Sequence, residues 1–107
     1  MKASKLLMVS AAAAVLFVST QATADLALAK KSGCLACHSV EKKIVGPAWK
    51  DVGKKYAGDA GAKANLISKV KSGGKGVWGP APMPPYSPRV SDANIEKLVD
   101  FILSLGK

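Results

Sequence analysis

Residues 32–40 read SGCLACHSV and bring both cysteines that follow the start of the chain, and its only histidine, within five positions. Two thiols three apart with an imidazole directly after the second admit three chemistries: a redox disulfide, a zinc site or a covalently attached haem. Each demands a different fold, so this short stretch constrains the chain more than any other feature. A redox C-x-x-C belongs on a βαβ background. Structural zinc wants four ligands, whereas Cys34, Cys37 and His38 are three, with no further Cys or His beyond them. C-x-x-C-H is the attachment signature of c-type haem. Each thiol can add to one of two neighbouring vinyl groups, and two intervening residues let one helical turn reach both. The next residue, His38, then lies under the ring centre, where its imidazole can bind iron. Leu35 and Ala36 are small or apolar, as residues facing a macrocycle should be.

The pattern of the remaining chain bears on this choice. Asp25 is placed to cap a short helix through about Lys31, stopped by Gly33. From Ala48 onward, Trp49, Val52 and Tyr56 fall at helical spacing, with Gly58 as the stop. A third helix is expected from about Ala62 to Lys71, with Leu66, Ile67 and Val70 on one face and Gly73 and Gly74 at its end. In the last, Ser91 is the N-cap and Ile95, Leu98, Val99, Ile102 and Leu103 form one apolar face, closed by Gly106. No stretch alternates, so no sheet is expected and the fold class is all-α. That background argues against the dithiol oxidoreductase and favours one haem c, held through Cys34 and Cys37.

The first residues address the chain. Lys2 and Lys5 precede the run LLMVSAAAAVLFV, and STQATA follows, with Ala22 and Ala24 in the arrangement that signal peptidase accepts. The run is shorter than the roughly 20 apolar residues of a membrane span. We therefore expect a cleaved secretory signal over 1–24, a periplasmic domain over 25–107, and no stable membrane insertion. Cleavage would remove Lys2 and Lys5 from 16 basic residues and none of the 7 acidic ones, leaving a charge of +7. Such a surface suits steering toward acidic partners. No basic run or stripe argues for nucleic acid, and a monomer is expected.

Five of the six prolines fall in GGKGVWGPAPMPPYSPR, which cannot be helical or ladder-bonded for long. Its Trp78, Met83 and Tyr86 suit a loop packed on a cofactor rather than a disordered linker. Met1 and Met8 would leave with the signal, so Met83 is the only methionine of the processed chain. Held between Pro82, Pro84 and Pro85, its thioether is the candidate sixth ligand to iron, with His38 the fifth.

GCLACHSV, VGPAWKDVGKKYAG, GVWGPAPMPP and the terminal amphipathic helix together resemble short bacterial class I cytochromes c of the c-551 type, over nearly all of residues 25–107. The resemblance implies a small class I fold of about four helices and a Pro-rich loop around one covalently bound haem. It implies thioethers at Cys34 and Cys37, and His38 and Met83 as axial ligands. Pro47 would accept a hydrogen bond from the other imidazole nitrogen of His38. Trp78 and Lys69 would serve as propionate partners, and Tyr56 would pack near the haem edge. One departure stands out: many relatives place an asparagine three residues after the ligating methionine, donating to its sulfur. Here that position is Tyr86, in a longer segment, YSPRV.

These features predict a one-electron carrier rather than an enzyme. Its partners would be redox proteins with acidic docking faces: a nitrite reductase, a terminal oxidase, a reaction centre or a peroxidase. Lys30, Lys31, Lys42, Lys43, Lys50, Lys54 and Lys55 are the candidate docking lysines. The alternative is an open-site haem protein with peroxidase-like or gas-sensing activity, which requires Met83 to be uncoordinated.

Overall fold

The structure is a computed structural model that describes residues 18–107. Lys2, Lys5, Met1, Met8 and all but the last residue of the apolar run lie outside the described residues. The described residues form four α-helices, α1 (Val18–Lys31), α2 (Trp49–Lys55), α3 (Ala62–Ser72) and α4 (Asp92–Ser104), and a 3-10 turn at Cys34–Ala36. Among the described residues there is no strand, only an isolated antiparallel bridge between Gly74 and Met83. The all-α expectation holds.

The organising element is α4. Ser91 is extended and its hydroxyl accepts a hydrogen bond from the Asn94 N–H, so the helix starts where the sequence places its cap. Ile95, Leu98, Val99 and Ile102 recur on one face and are all buried. That face packs against α1, α2 and α3 together. On the outer face, Lys63 of α3 meets Glu96 at 3.5 Å and Asp100 at 3.1 Å, and Lys71 meets Asp92 at 3.3 Å. These pairs are exposed and add little stability. They do engage three of the chain's seven acidic residues on one side of the molecule.

Two helix boundaries differ from expectation. In the uncut chain Asp25 lies inside α1 rather than at its cap, because the residues before it continue the same helix. The helix does stop near Gly33, whose φ of 86° is a left-handed conformation open to glycine. Helix α2 ends at Lys55, three residues before Gly58. Tyr56 leaves helical geometry at φ −102°, ψ 9°, and Gly58 then turns the chain with φ 79°.

Where α2 crosses the end of α4, backbone meets backbone. A Cβ on Gly53 would lie 2.6 Å from the Gly106 nitrogen and 2.7 Å from the Ile102 oxygen, and a Cβ on Gly106 would overlap the Gly53 carbonyl. Only two glycines allow this approach. On the adjoining flank of the same helix, Trp49 and Val52 line an open cleft.

Candidate functional site

The cleft has a volume of about 220 Å³, is partly open to solvent, and is walled by side chains from α2, α3, α4 and the loops between them. Every residue singled out from the sequence lines it: Cys34, Cys37, His38, Pro47, Tyr56, Lys69, Trp78 and Met83. They come from the 3-10 turn, the loop before α2, the end of α2, α3 and the Pro-rich loop. Much of the remaining wall is apolar, with Val52, Leu66, Val70, Leu98, Val99 and Ile102 contributed by three helices.

Local backbone bonds build the cysteine end. The Cys37 and His38 N–H groups both donate to the Cys34 carbonyl, at 3.2 and 3.0 Å, which winds Cys34–His38 into one tight turn. Both thiols are free, Cys34 buried and Cys37 half-buried. Burial raises the Cys34 thiol pKa, against smaller lowering effects from its backbone hydrogen bond and from the Arg89 charge.

His38 is fixed on three sides. Its Nδ1 lies 2.9 Å from the Pro47 carbonyl oxygen, so it donates there and Nε2 is left as the nitrogen with a lone pair. Trp49 stacks on the imidazole at 5.5 Å between ring centroids and 28° between planes, and is itself wedged edge-on against Phe101. The third side is Gly46. A Cβ there would stand 2.5 Å from Cε1 and 2.9 Å from Nδ1 of the ring. The Gly46 N–H donates to the Cys37 carbonyl at 2.7 Å, which draws this loop onto the histidine. The sequence resemblance assigns a role here to Pro47 alone, so the roles of Gly46 and Trp49 emerge from the structure.

Met83 is held by its backbone. Its N–H donates to the Gly74 carbonyl at 2.8 Å and its carbonyl accepts from the Gly74 N–H at 3.0 Å. Gly73 makes this possible: at φ 76°, ψ −172° it occupies a region open essentially to glycine alone, and a Cβ would meet the Met83 oxygen at 2.5 Å. The Tyr86 N–H donates to the Val70 carbonyl at 3.0 Å, anchoring the far end of the loop on α3. Among the described residues the Tyr86 hydroxyl makes no hydrogen bond to Met83. The buried Tyr86 ring lines the cleft instead, covered by the Arg89 guanidinium at 4.6 Å.

At the mouth, Lys55 reaches two aromatic faces at once, 5.7 Å from the Tyr56 centroid and 5.9 Å from that of Trp78. Lys69 lies over Gly74, its Nζ 2.7 Å from where a Cβ would be, so the missing side chain makes room for the ammonium. Of the candidate docking lysines, Lys50 is paired with Glu41 at 2.6 Å; the others have no carboxylate partner among the described residues. No helix among those residues is long and apolar enough to cross a membrane.

This donor set suits a haem. Two free thiols and an imidazole with Nδ1 already committed stand on one apolar cleft, a thioether lines the same cleft, and N–H donors sit toward its rim. The comparisons with known proteins agree. The cytochrome c family model matches residues 25–106. The chain is 57% identical over 88 residues to cytochrome c-551 of Allochromatium vinosum, covering 82% of this chain and 93% of that protein. The crystal structure of Nitrosomonas europaea cytochrome c552 superposes with a TM-score of 0.72 at 52% identity, covering 75% of this chain and 98% of that one. The class 1 cytochrome MtoD of Sideroxydans lithotrophicus ES-1 follows at 0.68 and 36%, covering 79% and 96%. A cleft shaped around Cys34, Cys37 and His38, in a fold shared over most of its length with these proteins, makes the chain a small class I member of the cytochrome c family, with one covalently attached haem c as its cofactor.

Proposed function

We propose that this cytochrome is a periplasmic one-electron carrier, not an enzyme, with His38 and Met83 as axial ligands and thioethers at Cys34 and Cys37. The bound haem supplies an iron that accepts and releases a single electron. The observation that carries the ligand assignment is the hydrogen bond from His38 Nδ1 to Pro47, which fixes the tautomer and leaves Nε2 as the donor atom. Met83 is the only methionine among the described residues and lines the same cleft. Its weak donor sulfur favours the ferrous state and raises the potential. His38 and Met83 would hold the iron between them and leave no place for a substrate, and the apolar walls from α2, α3 and α4 would exclude water from the cleft. Trp78 and Lys69 offer N–H donors to acidic groups at the edge of the cofactor. Residues 1–24 act as a signal removed on export, so the working chain begins at Asp25. Redox proteins with acidic faces would then dock on the unpaired lysines.

Met83→Ala tests this reading. The wild-type ferric protein should show the weak near-infrared band of sulfur-to-iron charge transfer, and the variant should lose it. The variant's potential should fall well beyond 59 mV, which is tenfold in a one-electron equilibrium. Peroxidase activity should appear while the covalent attachment persists. An unchanged potential and spectrum would leave Met83 a packing residue and favour the open-site alternative.

A further inference from the structure

Arg89 is the only arginine of the chain, and it lies in the segment YSPRV. Its guanidinium stands 4.6 Å from the centre of the Tyr86 ring. Tyr86 is buried and lines the cleft, whereas Arg89 does not line it. The cation thus stacks on a residue that lines the cofactor site. Two backbone bonds hold this stack: Tyr86 N–H to Val70 O at 3.0 Å and Val90 N–H to Tyr86 O at 2.8 Å. Among the described residues no carboxylate is within ion-pair distance of Arg89. A second cavity on this flank is lined by both Arg89 and Lys31 and by no acidic residue. The charge behind Tyr86 is therefore not neutralised by the protein.

We propose that Arg89, stacked on Tyr86 behind the cleft, raises the reduction potential of the haem. The physical reason is charge. Reduction adds one electron to the iron and no proton, and a nearby fixed positive charge favours the state holding the extra electron. Stacking matters as well, because the ring keeps an exposed and otherwise mobile side chain close to the cleft. The inference rests on the haem reading above, but its experiment is separable from it.

The potential of the haem-loaded protein would be measured for wild type, Arg89→Lys, Arg89→Gln and Arg89→Met, in low and in high salt. One unit charge about a nanometre away through a solvent-like medium is worth roughly a factor of two in such an equilibrium. Removing it should favour ferric iron about two- to threefold, a fall of about 20–30 mV at 59 mV per decade. Arg89→Lys, which keeps charge and ring contact, should retain most of the wild-type value. The deficit of the Gln and Met variants should shrink in high salt, where an exposed charge is screened. Amide exchange at Val90, read by NMR, reports independently whether the loop stays folded, so any variant with an opened loop is set aside in favour of the other neutral one. The proposal is overturned if a folded neutral variant keeps the wild-type potential, if Arg89→Lys falls as far as Arg89→Gln, or if the deficit is independent of salt. Loss of the near-infrared band in the wild type would instead sink the ligand assignment.

Discussion

A single hydrogen atom separates a working His38 from a displaced one. Gly46 has no Cβ, and the imidazole occupies the space that one would fill. The neighbour that would have to give is a ring already held by the Pro47 carbonyl and by Trp49. Gly46→Ala should therefore cost about 1–3 kcal/mol, as overpacking of a tight site does. It should also weaken the hydrogen bond to Pro47, so the melting temperature should fall and the imidazole NMR signals should shift together. A variant with wild-type stability and unshifted signals would show that the loop yields more easily than its geometry indicates. The chemistry-bearing residues were legible from sequence because attachment is local: Cys34, Cys37 and His38 sit at fixed spacing. What holds them was not. A glycine before a proline reads as a turn, and nothing local says that a histidine eight residues earlier lies against it.

Between Gly73 and Tyr86, order comes from sparse anchors rather than from regular structure. The Gly74–Met83 bridge is the nearest approach to a ladder, and Gly73 must adopt a conformation that a side chain resists. Gly73→Ala should open this bridge. The backbone strain alone is of order 1–3 kcal/mol, and the clash with the Met83 carbonyl adds to it. We expect the Met83 amide to exchange with solvent at least tenfold faster, while amides in the middle of α4 change less. Equal acceleration in both would mean that loop and helices open as one unit. The helices themselves could be read from periodicity. Their ends were less readable: α2 stops at Lys55 because Tyr56 turns into the cleft, a tertiary demand that spacing does not reveal.

Across the whole molecule, charge is divided unevenly. Asp92, Glu96 and Asp100 lie along α4 and are engaged by α3. Lys42 and Lys43 share a loop with Val45, which lines the cleft, and Lys75 lines it directly; none of the three has a carboxylate partner among the described residues. If acidic partners meet this side, raising salt should slow the bimolecular electron-transfer rate, because screening shortens the reach of each charge to about 8 Å at physiological ionic strength. Stopped-flow rates over a salt series would check this. A flat or rising dependence would remove the steering argument and leave the carrier role intact. The excess of base was visible in composition. Its distribution was not, since the packing of α3 on α4 and the approach of Lys50 to Glu41 determine which lysines are taken.

The Gly53–Gly106 crossing bears on when this chain can fold during its own synthesis. Gly106 lies just past the end of α4, and α4 is the helix on which α1, α2 and α3 converge. A nascent chain still missing those last residues has α2 with nothing to seal against and no common face for α1 and α3. The native arrangement therefore cannot be completed before residues 92–106 are available, and the cleft around Cys34 and Cys37 closes only when they are in place.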